Sequence, residues 1–491
     1  MSAVMENRGI PATWELVPLK ELGQWSGGGT PSKAKPEYWE KGKIPWVSPK
    51  DMKTERITDS EDHITKTAIE ESTAKLISAG SVLIVTRSGI LSHTLPVAVT
   101  TVPVTVNQDL KALTPREGIL PEYVAWALRS FARDILNTCS KQGTTVNSIE
   151  TAALNRFEIP VAPLDQQKRI VAEIEKQFSR LDEAVANLKR VKANLKRYKA
   201  AVLKAAVEGR LVETEAELAH KKTPSPLAGE GGGEGASYET GAQLLQRILE
   251  TRRSQWKGKG KYKEPAAPDT TDLPELPEGW VWASIQQLAN VQLGKMLDKQ
   301  KYRSGKELPY LRNINVRWGT IDTRGLLMMF FKETELDRYG LNAGDVLVCE
   351  GGEPGRAAIW EGRIPGVMYQ KALHRVRFFA GYKQKLLVFH LEYLAKSGRL
   401  ERWFTGSTIK HFTGESFAQL PIPLLPLDEQ QRIITEAERR LSIMLGFEAQ
   451  VDANILRTER LRQAILRKAF SGLLALQEPA LAPELVVQRM G

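Results

Sequence analysis

The stretch Ile159–Ile170, IPVAPLDQQKRI, recurs 263 residues later as IPLLPLDEQQRI, Ile422–Ile433. The surrounding sequence keeps this offset without a gap from residue 142 to residue 211, with 20 identities in 70 positions. A coincidental match of that length is implausible, so the chain contains one folding unit in two copies. Such a repeat determines the architecture, because each copy is expected to fold in the same way.

The upstream part of each repeat has diverged. Pro11–Trp14 corresponds to Pro277–Trp280 at an offset of 266 residues, and Gly80–Ile84 resembles Gly344–Val348 at an offset of 264. Because the offset changes, the loops between these matches differ in length. The contrast predicts two modules that share a scaffold and a docking surface but present different loops.

Short β-type segments open each repeat. Ser81–Thr86 and Asp345–Cys349 lie between Gly- and Pro-containing turns, and a helix over Glu122–Thr138 follows in the first copy. Strands mixed with helices in this way predict a mixed α/β module of about 150 residues in each repeat.

A long helix closes each repeat. Asp165 is the expected N-cap of the first helix and Gly209 its expected stop. Apolar residues recur at steps of mostly three and four, as in a coiled coil, and about 44 residues at 1.5 Å each would span roughly 65 Å. The expected pairing positions are Phe178, Leu181, Val185, Leu188, Leu195 and Tyr198 in the first helix and Leu441, Met444, Val451, Leu461 and Ile465 in the second.

A stripe this narrow needs a partner, and the other long helix is the most direct one. If a pseudo-two-fold axis relates the repeats, the two helices run antiparallel. We therefore predict an α/β protein with two similar mixed α/β domains, joined by two long helices that form an antiparallel intramolecular coiled coil. The alternative is that each helix packs only on its own domain.

The expected boundaries follow from the repeat. A connector separates the copies; it contains a flexible glycine-rich linker, Pro224–Gly235, and a short helix from Gly241 to about Arg253. Its lysines at 257, 259, 261 and 263 are ordinary for a solvated linker, with non-specific phosphate contact as the alternative. The predicted segments are a first α/β domain over 10–163, a helix over 164–212, the connector over 213–272, a second α/β domain over 273–426, a helix over 427–475 and a tail over 476–491.

The composition favours a polyanionic partner. The formal net charge is +11 over 491 residues. Two cysteines, Cys139 and Cys349, are too few for a disulfide framework, which favours a reducing cytoplasm. The polar segment Met1–Gly9 does not resemble a signal peptide and no run of about eighteen apolar residues occurs, so we expect no membrane partner.

Motifs favour a binding protein over an enzyme. Gly351–Gly355 lacks the Lys and Ser/Thr of a Walker phosphate loop, and Gly27–Gly29 precedes a Thr-Pro pair that cannot open a dinucleotide-binding helix. The Asn/Asp-Pro-Pro-aromatic motif of amino-methyltransferases is missing. Asp345 and Glu350 resemble a nuclease carboxylate pair without its lysine. The six histidines lack metal-ligand spacing to cysteines or carboxylates, so we expect no metal and no catalytic residue.

Turn-rich segments at matching places in the two repeats carry side chains that could recognise DNA. Base edges need paired donors and acceptors, and phosphates need cations and hydroxyls. Taken singly, an arginine is more commonly salt-bridged and a tryptophan more commonly packs in a loop; only the sets favour DNA. The candidates are Trp46, Ser48, Lys50, Lys53, Arg87, Ser88, Gln108, Lys141, Thr144 and Thr145 in the first repeat, and Arg312, Asn313, Asn315, Arg317, Gln370, Lys371, Ser407, Thr408, Lys410 and His411 in the second.

In combination these features resemble the specificity subunits of type I restriction–modification systems. The resemblance rests on the duplicated module, the Ile-Pro-x-x-Pro-Leu-Asp-x-Gln run, the Gly-Ser/Thr-Thr turn before it, the long helix and the Leu-Pro-x-Gly-Trp start at Leu276–Trp280. The combination covers essentially the whole chain, although each motif alone is weak. The long glycine-rich connector departs from a minimal plan of the family.

The resemblance implies a non-catalytic subunit with two target-recognition domains, each recognising one half of a split, asymmetric site in double-stranded DNA. The paired helices would fix the gap between half-sites and dock two copies of a methyltransferase subunit, which restriction/translocase subunits would join. S-adenosylmethionine, ATP and magnesium would belong to these partners, with no cofactor and no small-molecule substrate on this chain.

Three alternatives stay open at this point. The chain could be the recognition subunit of a methylation-only or other phage-defence complex. It could also be a coiled-coil scaffold whose domains bind protein. A self-contained modification enzyme is disfavoured by the missing motifs.

Overall fold

The computed structural model describes residues 10–141, 147–222, 238–256, 258, 260–296 and 305–474. The chain divides into two compact units: the first runs to Lys189 and resumes at Asp452, and the second is Arg190–Val451. Each unit therefore contains one α/β module, the first part of the long helix that follows this module, and the last part of the other long helix.

The first unit holds the strands and helices of the first repeat. Its strands are β1 (Glu15–Pro18), β2 (Gly23–Gly27), β3 (Ile44–Val47), β4 (Arg56–Ile57), β5 (Asp62–Ile64), β6 (Val82–Val85), β7 (Val97–Thr100), β8 (Thr105–Val106), β9 (Leu110–Pro115), β10 (Ser140–Lys141), β11 (Ser148–Ile149) and β12 (Glu158–Val161). Its helices are α1 (Lys66–Glu71), α2 (Pro121–Ser130), α3 (Ala132–Cys139), α4 (Thr151–Arg156) and the first part of α5 (Leu164–Val207).

The second unit repeats this arrangement. Its strands are β13 (Val281–Ser284), β14 (Ala289–Leu293), β15 (Lys306–Leu311), β16 (Val316–Arg317), β17 (Thr320–Ile321), β18 (Leu327–Phe331), β19 (Val346–Cys349), β20 (Ala357–Ile359), β21 (Met368–Tyr369), β22 (Leu373–Phe378) and β23 (Pro421–Leu424). Its helices are α6 (Glu215–Lys222), α7 (Gly241–Ser254), α8 (Ile285–Leu288), α9 (Leu336–Tyr339), α10 (Gln384–Lys396), α11 (Gly414–Gln419) and the first part of α12 (Leu427–Ala469).

The main sheets of the two modules share a strand order, to which β4 adds a fifth strand in the first module. The order β2-β9-β6-β7-β4 in the first module corresponds to β14-β22-β19-β20 in the second, and β5-β3-β8 corresponds to β18-β15-β21. The central strands β6 and β19 are buried throughout, because their continuous apolar runs are covered on both faces. The repeat found in the sequence is thus confirmed in the fold, including the modules whose sequences diverged.

A buried glutamine explains the recurring Pro-Leu-Asp-x-Gln run. Gln167 accepts a hydrogen bond from the backbone N–H of Leu120 at 2.9 Å and donates to the carbonyls of Gly118 and Ala162. Gln430 makes the same three bonds to Lys383, Gly381 and Leu425. In each module one amide therefore ties the start of the long helix to the loop before α2 or α10, so this run builds the scaffold.

The glycine after each long helix meets the beginning of the other repeat. Gly209 has φ +68°, and a Cβ there would lie 2.5 Å from Cγ of Pro277. Gly472 has φ +78°, and a Cβ there would lie 2.2 Å from Cγ of Pro11. Glycine is needed at both positions, because they combine left-handed backbone with close packing. The expected stop at Gly209 is confirmed.

The long helices start and pack somewhat differently from expectation. Asp165 is not the N-cap: α5 already begins at Leu164, so the Asp165 carboxylate lies in the first turn. There it complements the helix dipole.

The helix expected over Glu122–Thr138 is interrupted at Phe131, whose φ of −94° and ψ of 10° separate α2 from α3.

Both long helices have their ends in a module core. In the first unit, Ile174 and Phe178 of α5 share a hydrophobic core with Leu466 of α12 and with Phe470, the residue that follows this helix. Also in this unit, the guanidinium of Arg462 stacks 4.8 Å from the ring centre of Phe178. In the second unit, the C-terminal end of α5 packs with the N-terminal end of α12 through Val202, Leu203, Ala206, Ile433 and Ala437. The start of one helix thus meets the end of the other, as antiparallel helices require.

The predicted pairing positions differ in burial. Phe178, Met444 and Val451 are buried, whereas Leu181, Val185, Leu188, Leu195, Leu441 and Ile465 are half-buried. Tyr198 and Leu461 are 47% and 43% exposed, so at these two positions the apolar stripe lies at the edge of the packed face. Thr458, which interrupts the apolar pattern, is buried, and its hydroxyl donates to the carbonyl of Asn454 at 2.9 Å.

The connector is partly structured on the second module. Leu244 and Ile248 of α7 belong to the core of the second unit. A capping box at Thr240 starts this helix. The predicted short helix is therefore confirmed, while Pro224–Gly235 lies outside the described residues. Among the described helices, none is long and apolar enough to cross a membrane.

Candidate nucleic-acid interface

The DNA-recognition candidates of module 1 lie in four segments: the first is residues 46–53, the second 86–88, the third 107–109 and the fourth 140–149. The first and third segments meet at the edge of a sheet. Strand β3 pairs in parallel with β8, so that Trp46 faces Thr105 and Val47 faces Val106. The next residue pair continues the contact, because the N–H of Asn107 donates to the carbonyl of Val47 at 3.0 Å. Parallel strands end at the same edge, so the segments after both strands emerge side by side.

The second segment connects the third to the fourth. The backbone N–H of Thr86 donates to the carbonyl of Asp109 at 2.7 Å, and the Arg87 side chain bonds the carboxylate of Asp109 at 2.7 Å. Ser88 then donates through its backbone to Asn147 at 3.1 Å. The four segments thus form one continuous surface, which we call loop surface 1; it comprises residues 46–53, 86–88, 107–109, 140–141 and 147–149. Thr144 and Thr145 lie outside the described residues.

Module 2 brings its four segments together in the same way. The N–H of Gln370 donates to the carbonyl of Leu311 at 3.1 Å, across the parallel strands β15 and β21. Glu350 donates to Ala372 at 2.9 Å and accepts from the N–H of Phe412 at 2.8 Å. We call this surface, residues 311–318, 350–356, 369–372 and 405–412, loop surface 2.

Some candidates hold the loops rather than face solvent. Trp46 is buried, donates its indole N–H to the carbonyl of Gly29 at 2.9 Å, and packs edge-on against Trp39. Ser48 is buried and binds the carboxylate of Asp51 through its N–H and hydroxyl. These contacts place Trp46 and Ser48 in the internal packing of loop surface 1.

Three candidate cations are paired with carboxylates. Lys50 lies 3.0 Å from Asp62 and 3.1 Å from Glu61, and the hydrogen bond to Asp62, the larger cause, raises the pKa of Lys50 above its ordinary value. Arg87 pairs with Asp109 at 2.7 Å, and Lys410 with Glu401 at 2.6 Å. Such exposed pairs are weak, so a phosphate could displace the carboxylate at small cost.

Other candidates remain exposed. Lys53, Lys141, Arg317 and Lys371 are exposed and form no ion pair with any carboxylate of the described residues. Ser407, Thr408 and His411 are exposed as well, and Gln370 is half-buried. Gln108 is exposed and accepts a hydrogen bond from Thr30, and Ser88 caps the short 3₁₀ helix Gly89–Ser92.

Loop surface 2 contains a supporting arginine that sequence reasoning missed. Arg356 donates to the carbonyl of Asn313 at 2.9 Å and pairs with Glu353 at 2.7 Å, and its side chain is only 11% exposed. Glu353 also accepts the indole N–H of Trp318 at 2.9 Å. The sequence separation of 43 residues between Asn313 and Arg356 hides this contact from any local pattern.

The side-chain amides of Asn313 and Asn315 in loop surface 2 already form hydrogen bonds within this surface. Asn315 is buried; its oxygen accepts from the backbone N–H of Arg312 at 2.9 Å, and its nitrogen donates to the carbonyl of Asp322 at 3.0 Å. Asn313 donates to the carbonyl of Gly351 at 3.2 Å. Arg312 is half-buried and its Nε has no partner among the described residues. Asn315 therefore shapes the turn, whereas the amide oxygen of Asn313 accepts no hydrogen bond from the described residues.

The buried titratable groups have structural roles. Burial lowers the pKa of His390 to about 4, and its Nε2 lies 3.2 Å from the carbonyl of Pro421. Burial also lowers the pKa of His374 and raises that of the Cys349 thiol to about 11, so this thiol is protonated and is not an activated nucleophile. Among the described residues, no three His, Cys, Asp or Glu side chains are grouped for metal binding.

The comparison with protein families decides the assignment. The model of the family "Type I restriction modification DNA specificity domain" matches residues 11–197 and 277–436, which together cover more than half of the chain. The chain belongs to this family. Each match covers one module and much of the long helix or helix start that follows it, in agreement with the repeat.

Curated relatives carry the same designation. The chain is 48% identical over 167 residues to the EcoR124I/EcoR124II specificity subunit of Escherichia coli, a match covering 34% of this chain and 41% of the relative. It is 28% identical over 183 residues to the MjaIX specificity subunit of Methanocaldococcus jannaschii, covering 37% and 40%. These two matches thus span about two fifths of each relative. The EcoKI specificity subunit of E. coli matches over 381 residues at 23% identity, covering 76% of this chain and 70% of the relative.

Solved structures share the fold. A chain from a study of complex assembly and conformational transition of the type I R-M system has a TM-score of 0.63 at 18% identity, covering 94% of this chain and 99% of that one. The HsdS subunit from Thermoanaerobacter tengcongensis has a TM-score of 0.53 at 17% identity, covering 94% and 98%. At these sequence identities the likeness shows a shared fold and nothing further.

Proposed function

We propose that this protein is the non-catalytic specificity subunit of a type I restriction–modification complex, with each module recognising one half of a bipartite, asymmetric site in double-stranded DNA. The observation that carries the proposal is the pair of equivalent loop surfaces. Each is assembled from four segments at the same strand ends, on matching scaffolds, yet the segments differ in sequence and length. A shared scaffold with different recognition loops suits a site whose two halves have different sequences.

The long helices suit a spacer between the two half-sites. Helix α5 has 44 residues and α12 has 43, and at 1.5 Å per residue each spans roughly 65 Å. Apolar side chains that face away from the packed stripe, such as Ile443, Phe447 and Leu456, are about half exposed or more. Exposed apolar side chains of this size are typical of protein-binding surfaces, and they support docking of two methyltransferase subunits along the helices.

The partners would supply the chemistry. S-adenosylmethionine would bind to the methyltransferase subunits, and ATP and magnesium to the restriction/translocase subunits that join them, in the cytoplasm where genomic DNA lies. This chain would contribute the DNA contacts and the spacing, with no cofactor of its own.

The decisive experiment mixes the purified chain with the methyltransferase encoded beside its gene and maps methylated adenines on genomic DNA. We expect methylation at one bipartite sequence by the mixture and none by either protein alone. Methylation by this chain alone would contradict the subunit assignment. Failure of the mixture to bind DNA, despite assembly, would favour a protein-binding scaffold.

A second experiment tests the division of labour between the modules. Replacing residues 273–426 by the second domain of another family member should change one half of the methylated sequence and leave the other half intact. Insertion of one heptad into either long helix should change only the gap or prevent assembly. A changed half-site after the insertion would show that the helices do more than set spacing.

A further inference from the structure

A cleft in the first unit concentrates positive charge. It has a volume of about 1060 Å³ and lies between α3 of module 1 and the C-terminal end of α12. Its described lining includes five basic residues, Arg129, Arg133, Lys141, Arg467 and Lys468, and one acidic residue, Asp134. Of the five, Arg133, Lys141, Arg467 and Lys468 are exposed and form no ion pair with a carboxylate in the described part of the chain.

The C-terminal end of α12 packs against the core of the first unit beside this cleft. The ring of Phe470 lies 5.1 Å from that of Tyr123 and 6.2 Å from that of Phe131, both in the core of the first unit. The basic pair Arg467 and Lys468 precedes this anchor by less than one turn. The second long helix therefore places two cations beside the module of the first repeat.

The equivalent cleft in the second unit has a different charge. It lies at the C-terminal end of α5 and has nearly the same volume, about 1070 Å³. Its described lining includes Lys204, Arg210, Arg399 and Arg402 but also Glu208, Asp272 and Glu275. Basic residues at a helix C-terminus complement the helix dipole, and Lys204, which corresponds to Arg467, serves this purpose equally. The dipole thus does not account for the excess of cations in the first cleft.

The first cleft is continuous with loop surface 1. Lys141 and Asn147 belong to both, and the strand pair β10–β11 connects them to the second candidate segment, because the N–H of Ile149 donates to the carbonyl of Thr86 at 2.8 Å. Hydroxyl and amide groups, the usual neutral partners of phosphate oxygens, surround the cations; among them are Ser92, Thr94, Ser130, Asn137, Ser140 and Asn147.

We infer that this cleft binds the sugar-phosphate backbone of double-stranded DNA beside the half-site that module 1 recognises, and that Arg467 and Lys468 of the second repeat contribute phosphate contacts there. The inference rests on the proposed function and deepens it. DNA is the occupant that fits, because an exposed, nearly uniform positive charge next to a surface for base recognition matches a polyanion that runs past that surface. The first half-site is then held by residues from both repeats, whereas the described lining of the second cleft combines its four cations with three carboxylates.

The test compares two variants of the full chain, each assembled with its methyltransferase. One carries Arg133→Gln, Arg467→Gln and Lys468→Gln; the matched control, from the second cleft, carries Lys204→Gln, Arg399→Gln and Arg402→Gln, so both lose the same charge. The dissociation constant for a duplex with the mapped site is measured over a range of salt concentrations. Each lost phosphate contact reduces the steepness of the plot of log association constant against log salt concentration by about 0.9. The slope of the first variant should therefore be shallower by up to about 2.7, and the slope of the control should equal the parental slope.

Further readouts separate the possible outcomes. The methylated sequence should stay the same in the first variant, since phosphate contacts carry no sequence information, and Arg467→Lys alone should keep the parental slope. An unchanged slope in the triple variant, with the parental complex binding its site, would overturn the inference and leave the proposed function standing. Loss of methyltransferase binding at an unchanged slope would assign the cleft to an acidic protein surface and also overturn it. A parental complex that fails to bind DNA would overturn the proposed function first.

Discussion

Replacing Gln430 by methionine should destabilise the second unit strongly, although the two side chains have similar volume and shape. Gln430 is fully buried, and its amide satisfies the N–H of Lys383 and the carbonyls of Gly381 and Leu425. Methionine fills the space but leaves these three backbone groups without partners. The bond to Leu425 is buried and the other two are part-buried, so each lost hydrogen bond is taken at about 1 kcal/mol, which gives a sum of about 3 kcal/mol.

The assay is hydrogen exchange of the start of α10, combined with denaturant unfolding of the full chain. A cost of about 3 kcal/mol corresponds to a roughly 150-fold larger open population, so amides near Lys383 should exchange faster by about that factor. Gln431→Met is the matched control, because Gln431 is exposed and bonds only Thr435 of its own helix among the described residues. Gln167→Met should act likewise on the loop before α2.

The result that would refute this reasoning is a Gln430→Met protein within about 0.5 kcal/mol of the Gln431→Met control, the range of ordinary surface substitutions. The recurring glutamine would then not fasten the helix to the module. Its presence in both repeats would need another explanation, such as a contact with a partner subunit.

Three further predictions concern packing, pH and recognition. Gly472→Ala should lower the stability of the first unit by about 1–3 kcal/mol, because φ is +78° and the new Cβ would meet a proline ring; Gly446→Ala, inside α12 with open space around it, should instead raise stability by up to about 1 kcal/mol, both measured by thermal unfolding. Burial lowers the pKa of His390 to about 4 from its ordinary value of 6.5. The stability that this neutral histidine contributes is complete above pH 6.5 and is lost as the pH falls towards 4, by about 2 kcal/mol at pH 5; His390→Gln should flatten that part of the pH profile. Arg356→Lys should weaken recognition of the half-site of module 2 by about tenfold, or about 1.4 kcal/mol, while methylation mapping shows the other half-site unaffected.

The repeat, the long helices and several strands could be predicted from the sequence because they depend on local patterns. Strand β6 (Val82–Val85) has a continuous apolar run, and α5 has a regular apolar stripe that ends at a glycine. The N-cap prediction failed by only two residues, since α5 begins at Leu164, the carbonyl of Pro163 accepts from the N–H of Gln167 at 2.9 Å, and Asp165 lies in the first turn.

The assembly of the loop surfaces could be predicted only in part. Four segments were found in each module because turn residues and polar side chains cluster there. Their contacts join residues far apart in sequence, as between Asn313 and Arg356, and no local pattern identifies such partners. The burial of Trp46 likewise depends on Gly29, 17 residues away. Residue type therefore located the surface, and packing decided which side chains face outward.

The exchange of helix ends constrains how recognition domains can be recombined. Module 2 contacts α5 through the pair Lys199–Glu392, at 3.0 Å with the carboxylate almost fully buried, and through Pro277 against Gly209. A replacement of residues 273–426 removes one side of each contact and keeps the other. Leaving Lys199 beside an apolar residue would strand a partly buried cation. A donor domain should therefore be accepted only if it carries an acid at the position of Glu392 and a residue at that of Pro277 that packs against Gly209 as proline does.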